Sequence, residues 1–584
     1  MTLSVQATFA ATLVDEWARC GVTDAVVCPG SRSTPMAIAL YRSSIRVRVV
    51  LDERVGSFVA LGLARSTGRA VPVVTTSGTA AVELHPAVVE AHHGGVPLLA
   101  VTADRPPELH RVGAPQACEQ QGLYGSALRW AHDPGVARKG ARSTWRSLAA
   151  RSVAESLAGP MGPGPVHLNL PFVEPLDGEP GELLAGRGSG APWHRVEPPK
   201  MSPPPRVVED LAGLAGRRGV VMAGYQPGCD RLTYAAAVSE LAASLGWPLL
   251  ADPTSGAREA ATPTVIAAAD TLLRSPDFAE KAAPEVIVRF GRPWASRVVS
   301  EWVAGTEAQH VLVDPFWGWA DPGRTAASVV RCDPAALCTA LVEAVAGNGE
   351  TDAEWASLWR GCEAVAQEVI EEILAEEGRM SEPWIARELV RRLPPGSALV
   401  TSSSLPVREV EWFSTPRSDH PVVIANRGVN GIDGVVSTAV GVAASGVYER
   451  TVALVGDLAF LHDSGALMAL PPDCPLTVVV VDNAGGGIFD FLPQAGVLDE
   501  VEFETLFRTP QRTDPLFLAS AQGALAMEVT RPEGFAGALA TCLDGAGDAR
   551  RDRVMVCRVE PTTAAEVHRR IEEAVAEAVG IVIS

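Results

Sequence analysis

Residues 451–463 read TVALVGDLAFLHD. Val452 to Val455 form an unbroken apolar run, and Gly456-Asp457 end it. A short apolar run closed by a turn signal reads as a strand buried on both faces, the kind that parallel sheets contain. A carboxylate at the end of such a strand needs a reason. In open parallel sheets ligands bind outside the carboxyl ends of the strands, so function is expected in the residues that follow each apolar run.

The same pattern of apolar run, polar or glycine-rich turn and helical stretch recurs along the 584 residues in three blocks. This alternation predicts α/β architecture, with three doubly wound parallel-sheet domains. The first block, to about residue 180, holds DAVVCPG, RVRVVLDER, VPVVTTSG, VPLLAVTADR and GPVHLNLP. GRGSGAPWHRVEPPKMSPPPR then reads as a linker over 186–206. The middle block, 207–350, holds GVVMAGYQPG, WPLLADPTSG, EVIVRFGRPW and HVLVDPFWG. A helical stretch from TDAEWASLW opens the third block, 351–584, with SALVTSSSLPVRE, PVVIANRGVNGIDG, TVALVGD, PLTVVVVDNAGGG and RVMVCRVEP.

Composition narrows the function. The chain is 47% hydrophobic and 20% charged with a net charge of -20, which argues against nucleic acid or an acidic membrane as partner. The amino terminus carries Asp15 and Glu16 and lacks a signal-peptide pattern. No apolar run reaches the roughly 20 residues of a membrane span. The ten cysteines show no Cys-x-x-Cys or Cys/His ligand spacing. A cytoplasmic enzyme is expected.

The strand ends of the first block carry Arg32, Glu53, Thr76-Ser77 and Asp104-Arg105. Those of the third carry Ser402 to Ser404 with Arg408, Asn426-Arg427, Asp457, and Asn483 with three glycines. The middle block is plainer. Asn483 lies 26 positions after Asp457, room for one crossover helix, assigned to GALMALPPD (465–473), and a neighbouring strand. Asp457, Asn483 and the Gly485 carbonyl then make a hard-oxygen half-shell. Mg²⁺ prefers about six oxygens and commonly completes its set with phosphates and water. The alternative is that Asp457 only caps the following helix.

Gly-Asp followed about 25 residues later by Asn resembles the metal and diphosphate motif of the thiamine diphosphate enzymes. PGSRSTP, DER, TSGTA, HPAVVEAHH, PLLAVTADRPPEL, GAPQ, NRGVNGIDGVVSTA, GDLAFLHD and GGGIF extend the resemblance, specifically to the menaquinone-pathway branch that joins 2-oxoglutarate, after loss of CO₂, to isochorismate. The resemblance implies a pyrimidine-binding domain over 1–185 and a diphosphate-binding domain over 351–584. It implies thiamine diphosphate with Mg²⁺, Mn²⁺ being acceptable, held by Asp457, Asn483 and Gly485. Gly456, Leu458, Gly486, Ile488 and Phe489 would line the cofactor, Ile432 would wedge beneath it, and Glu53 would hydrogen-bond its pyrimidine ring. Arg408 and Arg427 would hold the distal carboxylate of 2-oxoglutarate. Arg32 and Arg105 would face isochorismate, with Gln116 and Ser404 beside the reacting atoms. Arginine suits these roles because its fork grips a carboxylate through two hydrogen bonds. Glu53 and Asp457 would meet across subunits, in a homodimer or homotetramer.

Three departures stand out. Leu458 replaces the commoner second glycine, Asp482 stands where Asn is frequent, and Pro115 sits where Asn is expected. The middle block lacks the Gly-x-Gly-x-x-Gly of a flavin or dinucleotide site. For Glu53 the competing reading is an ion pair with Arg54. His462 and His92-His93 read as structural, and His85 has no assigned role. Two functional alternatives stay open: another 2-oxoacid decarboxylase, for which Arg32 and Arg105 would be superfluous, and a non-catalytic binding protein.

Overall fold

The computed structural model describes residues 3–197, 200–260, 262–346, 352–469, 474, 476–544 and 553–584. Among these, three six-stranded sheets are present, and every strand pairing in them is parallel. The first contains Asp24–Val27, Arg46–Val49, Val71–Thr75, Leu98–Asp104, Trp130–His132 and Val166–Pro171. Counted along the chain, these strands lie in the order 2-1-3-4-6-5. The third sheet, Ser397–Thr401, Val422–Ala425, Arg450–Gly456, Leu476–Asp482, Leu525–Val529 and Arg553–Arg558, has the same order. The middle sheet, Gly219–Ala223 to Ser328–Val330, runs 3-2-1-4-5-6. The outer domains are thus topological duplicates around a differently wound centre.

Arg450–Gly456 pairs with Ser397–Thr401 on one side and Leu476–Asp482 on the other. Its apolar residues are buried on both faces, which is why the run shows no polar alternation. Asp457 and Asn483 therefore end neighbouring strands, as their spacing predicts. The crossover differs from expectation. Its helix starts at Asp457 itself and runs to Asp463, followed by a 3-10 turn over Ser464–Ala469. The strand hands directly to the helix, so GALMALPPD begins after the helix has ended, and its residues 470–473 lie outside the described ones.

The outer domains share one apolar core. Helix Glu53–Thr67 of the first packs on helix Val435–Ala444 of the third. A Cβ on Gly62 would collide with the Thr438 carbonyl, and one on Gly441 with the Val59 carbonyl. Two small residues let these backbones touch. The helix Ala353–Glu376, assigned from sequence to the third block, packs with the C-terminal helix Thr563–Ile583 on the middle domain. Trp355 Nε1 donates to the Gly219 carbonyl at 2.9 Å. Arg258, fully buried, ties the middle domain to the third by donating to Ser414 Oγ at 2.9 Å and the Glu411 carbonyl at 2.7 Å.

Candidate active site

At the third sheet's carboxyl edge, Gly456 precedes the helix and Asp457 opens it without a side-chain cap to the helix interior. Asp457 Oδ1 accepts the Leu458 N–H at 2.8 Å, and the Gly485 N–H also points to this carboxyl. Burial pushes Asp457 up to about 7, and the Asp482 charge adds to the rise. An acid so desolvated gains from a cation. Asn483 is buried; its Nδ2 donates to Glu382 Oε1 at 2.7 Å. Its Oδ1 is buried with no hydrogen-bond partner among the described residues. Gly485 sits at φ +135, where a Cβ would strike the Arg508 carbonyl, so only glycine leaves this backbone open to a ligand.

These features fit a divalent ion. They supply one carboxylate, one unpartnered amide oxygen and the Gly485 carbonyl. Among the described residues no group of three or more His, Cys, Asp and Glu could hold a metal, so an ion here would take its remaining oxygens from a diphosphate and water. Gly486 donates its N–H to the Arg508 carbonyl at 2.8 Å. Ile488 and Phe489 lie in the following 3-10 turn, Gly487–Phe491, with the Phe489 ring against Phe507. Leu458, where a glycine is commoner, is half-buried and keeps its N–H on Asp457. Ile432 packs against the core shared by the outer domains.

Ser404 and Arg408 lie at the start of helix Leu405–Phe413. Ser404 has φ 75 and ψ -135, a strained geometry for a residue with a Cβ, costing about 1–3 kcal/mol. Arg408 Nη1 donates to its carbonyl at 2.6 Å. Burial, then the neighbouring Arg427 charge, lowers the Arg408 pKa from its usual value. Neither arginine makes an ion pair among the described residues, and Arg427 Nε is buried without a partner.

In the first domain Asp52 caps the helix by accepting the Val55 N–H at 3.0 Å, and Glu53 follows in the first turn. Burial raises the Glu53 pKa, and the charges of Asp52 and Glu83 add to it. Arg54 turns away to the third domain: it donates to the His462 carbonyl at 3.0 Å and reaches Asp463 Oδ1 at 3.4 Å. The ion pair with Glu53 is therefore absent among the described residues, and His462 has the structural role expected. His85 packs edge-on against Tyr124.

Arg32 is buried, with both terminal nitrogens engaged: Nη1 donates to the Phe172 carbonyl and Nη2 ion-pairs with Glu174 Oε1, both at 3.0 Å. Its backbone N–H donates to Thr76 Oγ1 at 3.2 Å. Gln116, at φ 56, folds back to donate from Nε2 to the Ser77 carbonyl at 3.1 Å. Arg105 donates its N–H to Asp104 Oδ1 at 2.7 Å. Asp104 accepts from Asn169, whose Oδ1 accepts from Gln120, whose Oε1 accepts the Gly78 N–H. This network fixes the strand ends that carry Arg105, Ser77 and Gln116. Sequence reading missed it, although Asn169 inside the apolar HLNL was a signal. It also missed Glu382.

Two clusters result: Arg32, Glu53, Arg105 and Gln116 on the first sheet, and Ser404, Arg408, Arg427, Asp457, Asn483 and Gly485 on the third. Among the described residues no hydrogen bond or ion pair joins the two clusters. Arg65, at the far end of the Glu53 helix, is what reaches the third sheet's edge, donating to the Ala425 carbonyl. The twelve helical steps from Glu53 to Arg65 span about 18 Å.

Comparison with known proteins follows the same division. Residues 7–123 match the N-terminal TPP binding domain of thiamine pyrophosphate enzymes, 187–400 the middle domain, and 412–559 the C-terminal TPP binding domain. Fold and site thus define the class, a thiamine diphosphate-dependent enzyme. Similar chains include the 2-succinyl-5-enolpyruvyl-6-hydroxy-3-cyclohexene-1-carboxylate synthases of Thermobifida fusca (strain YX), 42% identical over 98% of this chain and 99% of the relative, and Myxococcus xanthus (strain DK1622), 39% identical over 98% of each. That of Geobacillus kaustophilus (strain HTA426) is 41% identical over 86% of this chain and 87% of its own. The chain belongs to this family of synthases.

Proposed function

We propose that the chain decarboxylates 2-oxoglutarate and adds the remaining four-carbon fragment to isochorismate, giving 2-succinyl-5-enolpyruvyl-6-hydroxy-3-cyclohexene-1-carboxylate for menaquinone biosynthesis. The observation that carries the substrate assignment is the Arg408–Arg427 pair. Arg408 is desolvated beside the Arg427 charge, and among the described residues neither forms an ion pair, an arrangement that suits an incoming dicarboxylate.

Thiamine diphosphate, when bound, supplies the electron sink for CO₂ loss and carbon–carbon bond formation. Asp457, Asn483 and Gly485 would hold Mg²⁺, or Mn²⁺, against the diphosphate, with Gly456, Leu458, Gly486, Ile488 and Phe489 around it and Ile432 beneath. Glu53 would hold a proton at the pyrimidine ring nitrogen; burial raises its pKa, the direction that favours an acid sharing a proton. Arg408 and Arg427 orient 2-oxoglutarate. Arg32 and Arg105, fixed on strand ends, orient isochorismate, and Gln116 and Ser404 flank the reacting atoms.

We assign a pyrimidine-binding domain to 1–185, a linker to 186–206, a central domain to 207–350 and a diphosphate-binding domain to 351–584. The site forms between subunits of a homodimer or homotetramer in the cytoplasm. The separation of Glu53 from the third sheet's edge supports this, as do exposed apolar side chains near both clusters: Tyr41, Val49 and Leu51 near Glu53, and Val497, Val501 and Leu506 after the glycine run. No described helix is long and apolar enough to cross a membrane.

The test supplies Mg²⁺, thiamine diphosphate and 2-oxoglutarate with and without isochorismate. Condensed product with both substrates, and slow succinic semialdehyde release without the acceptor, are expected. Rapid release that isochorismate does not divert would make the enzyme a decarboxylase.

A further inference from the structure

Glu382 lies 101 positions from Asn483 in sequence, at the start of helix Glu382–Arg392. The carboxyl group of a first-turn residue usually faces solvent, where it complements the helix dipole. This one is turned inward and is 5% exposed. It accepts Asn483 Nδ2–H at 2.7 Å, while Asn483 Oδ1 is left buried and unpartnered. A Cβ on Gly487 would collide with that same Nδ2, so glycine here keeps space for the amide against Glu382. The nearby Glu409 is engaged elsewhere, by His568 Nε2 at 2.8 Å.

We propose that Glu382 is a positioning residue for the metal site: it holds the Asn483 amide by its nitrogen, so that Oδ1 is the atom presented to the divalent ion. An asparagine side chain can turn either end toward a ligand, and only the oxygen binds a hard cation. Glu382 Oε1 is the acceptor of the Asn483 Nδ2–H, so it takes the nitrogen for itself and leaves the oxygen for the ion. This inference rests on the assignment of Asp457 and Asn483 as metal ligands.

The experiment titrates Mg²⁺ into the full-length chain at fixed thiamine diphosphate and reads binding by calorimetry, with no turnover. Glu382→Ala should weaken Mg²⁺ about 10–100-fold, as loss of outer-shell partners does. Glu382→Gln keeps an oxygen acceptor and should hold near the parent value. Asn483→Asp sets two carboxyl groups face to face and should weaken binding; adding Glu382→Gln, whose amide can donate to Asp, should restore it. Unchanged affinity in Glu382→Ala, or equal loss in the Ala and Gln variants, overturns the proposal. If Glu382→Ala does not fold, the Gln and double variants decide. Asp457→Ala separates the two assignments. Loss of Mg²⁺ there with none in Glu382→Ala sinks only the role of Glu382; parental affinity in Asp457→Ala sinks the metal assignment.

Discussion

Glu53 is held at a helix start beside Asp52 and Glu83, in a half-buried setting that favours its protonated form. Glu53→Gln preserves shape and removes the exchangeable acid. It should leave thiamine diphosphate binding near normal and cut turnover by about 10²–10⁴-fold; paired calorimetry and steady-state rates check this, and unchanged turnover would refute the role. His420 offers a test of pH dependence. Its Nδ1 lies 2.9 Å from the Pro421 carbonyl, and burial, with the Arg258 and Arg417 charges, lowers its pKa from 6.5 to about 4. The unfolded chain therefore takes up this proton first as pH falls. The stability is complete above about 6.5 and is lost toward 4, a contribution of about 3 kcal/mol. Urea unfolding at pH 7 and pH 4.5 should show the parent losing about 2–3 kcal/mol more than His420→Gln; equal losses would contradict a neutral buried imidazole. Asp457 and Asn483, the proposed ligands, were legible because each follows an apolar run. Glu382 was not, because its only visible partner is 101 positions away and SEPW reads locally as an ordinary helix start.

At the scale of elements, the contact between helices Glu53–Thr67 and Val435–Ala444 sets how the outer domains sit within a chain. Gly62→Ala places a methyl against the Thr438 carbonyl and should destabilise the protein by about 1–3 kcal/mol, as overpacking does. A thermal or urea midpoint equal to the parent's would mean that the backbones are not so close. The strands were readable because parallel strands buried on both faces appear as continuous apolar runs. The crossover helix was misplaced by eight positions, since Asp457 looks like a strand terminus and is also the first helical residue. The helix Ala353–Glu376 was read correctly as helix, but its tryptophans mark a buried face without saying which sheet it covers, and that face packs on the middle domain.

At the scale of the molecule, two sheets of identical strand order carry the two proposed halves of one site, an acid and two arginines on the first and an oxygen set with two arginines on the third. The alternating pattern announced three sheets but not that the outer two are duplicates, because strand order depends on contacts hundreds of residues apart. Within a chain the Glu53 helix meets the third domain at both ends, through Arg54 at His462 and Asp463 and through Arg65 at the Ala425 strand end. We propose that each site takes its first-domain half from one subunit and its third-domain half from another. Mixed assembly of Glu53→Gln and Asp457→Ala subunits tests this most directly. Each variant alone should be nearly inactive. Co-expressed in equal amounts as dimers, half the molecules are mixed and one of their two sites is intact, so about a quarter of parental activity should return. If the mixture stays as inactive as its components, both residues serve the same chain's site and the claim is wrong.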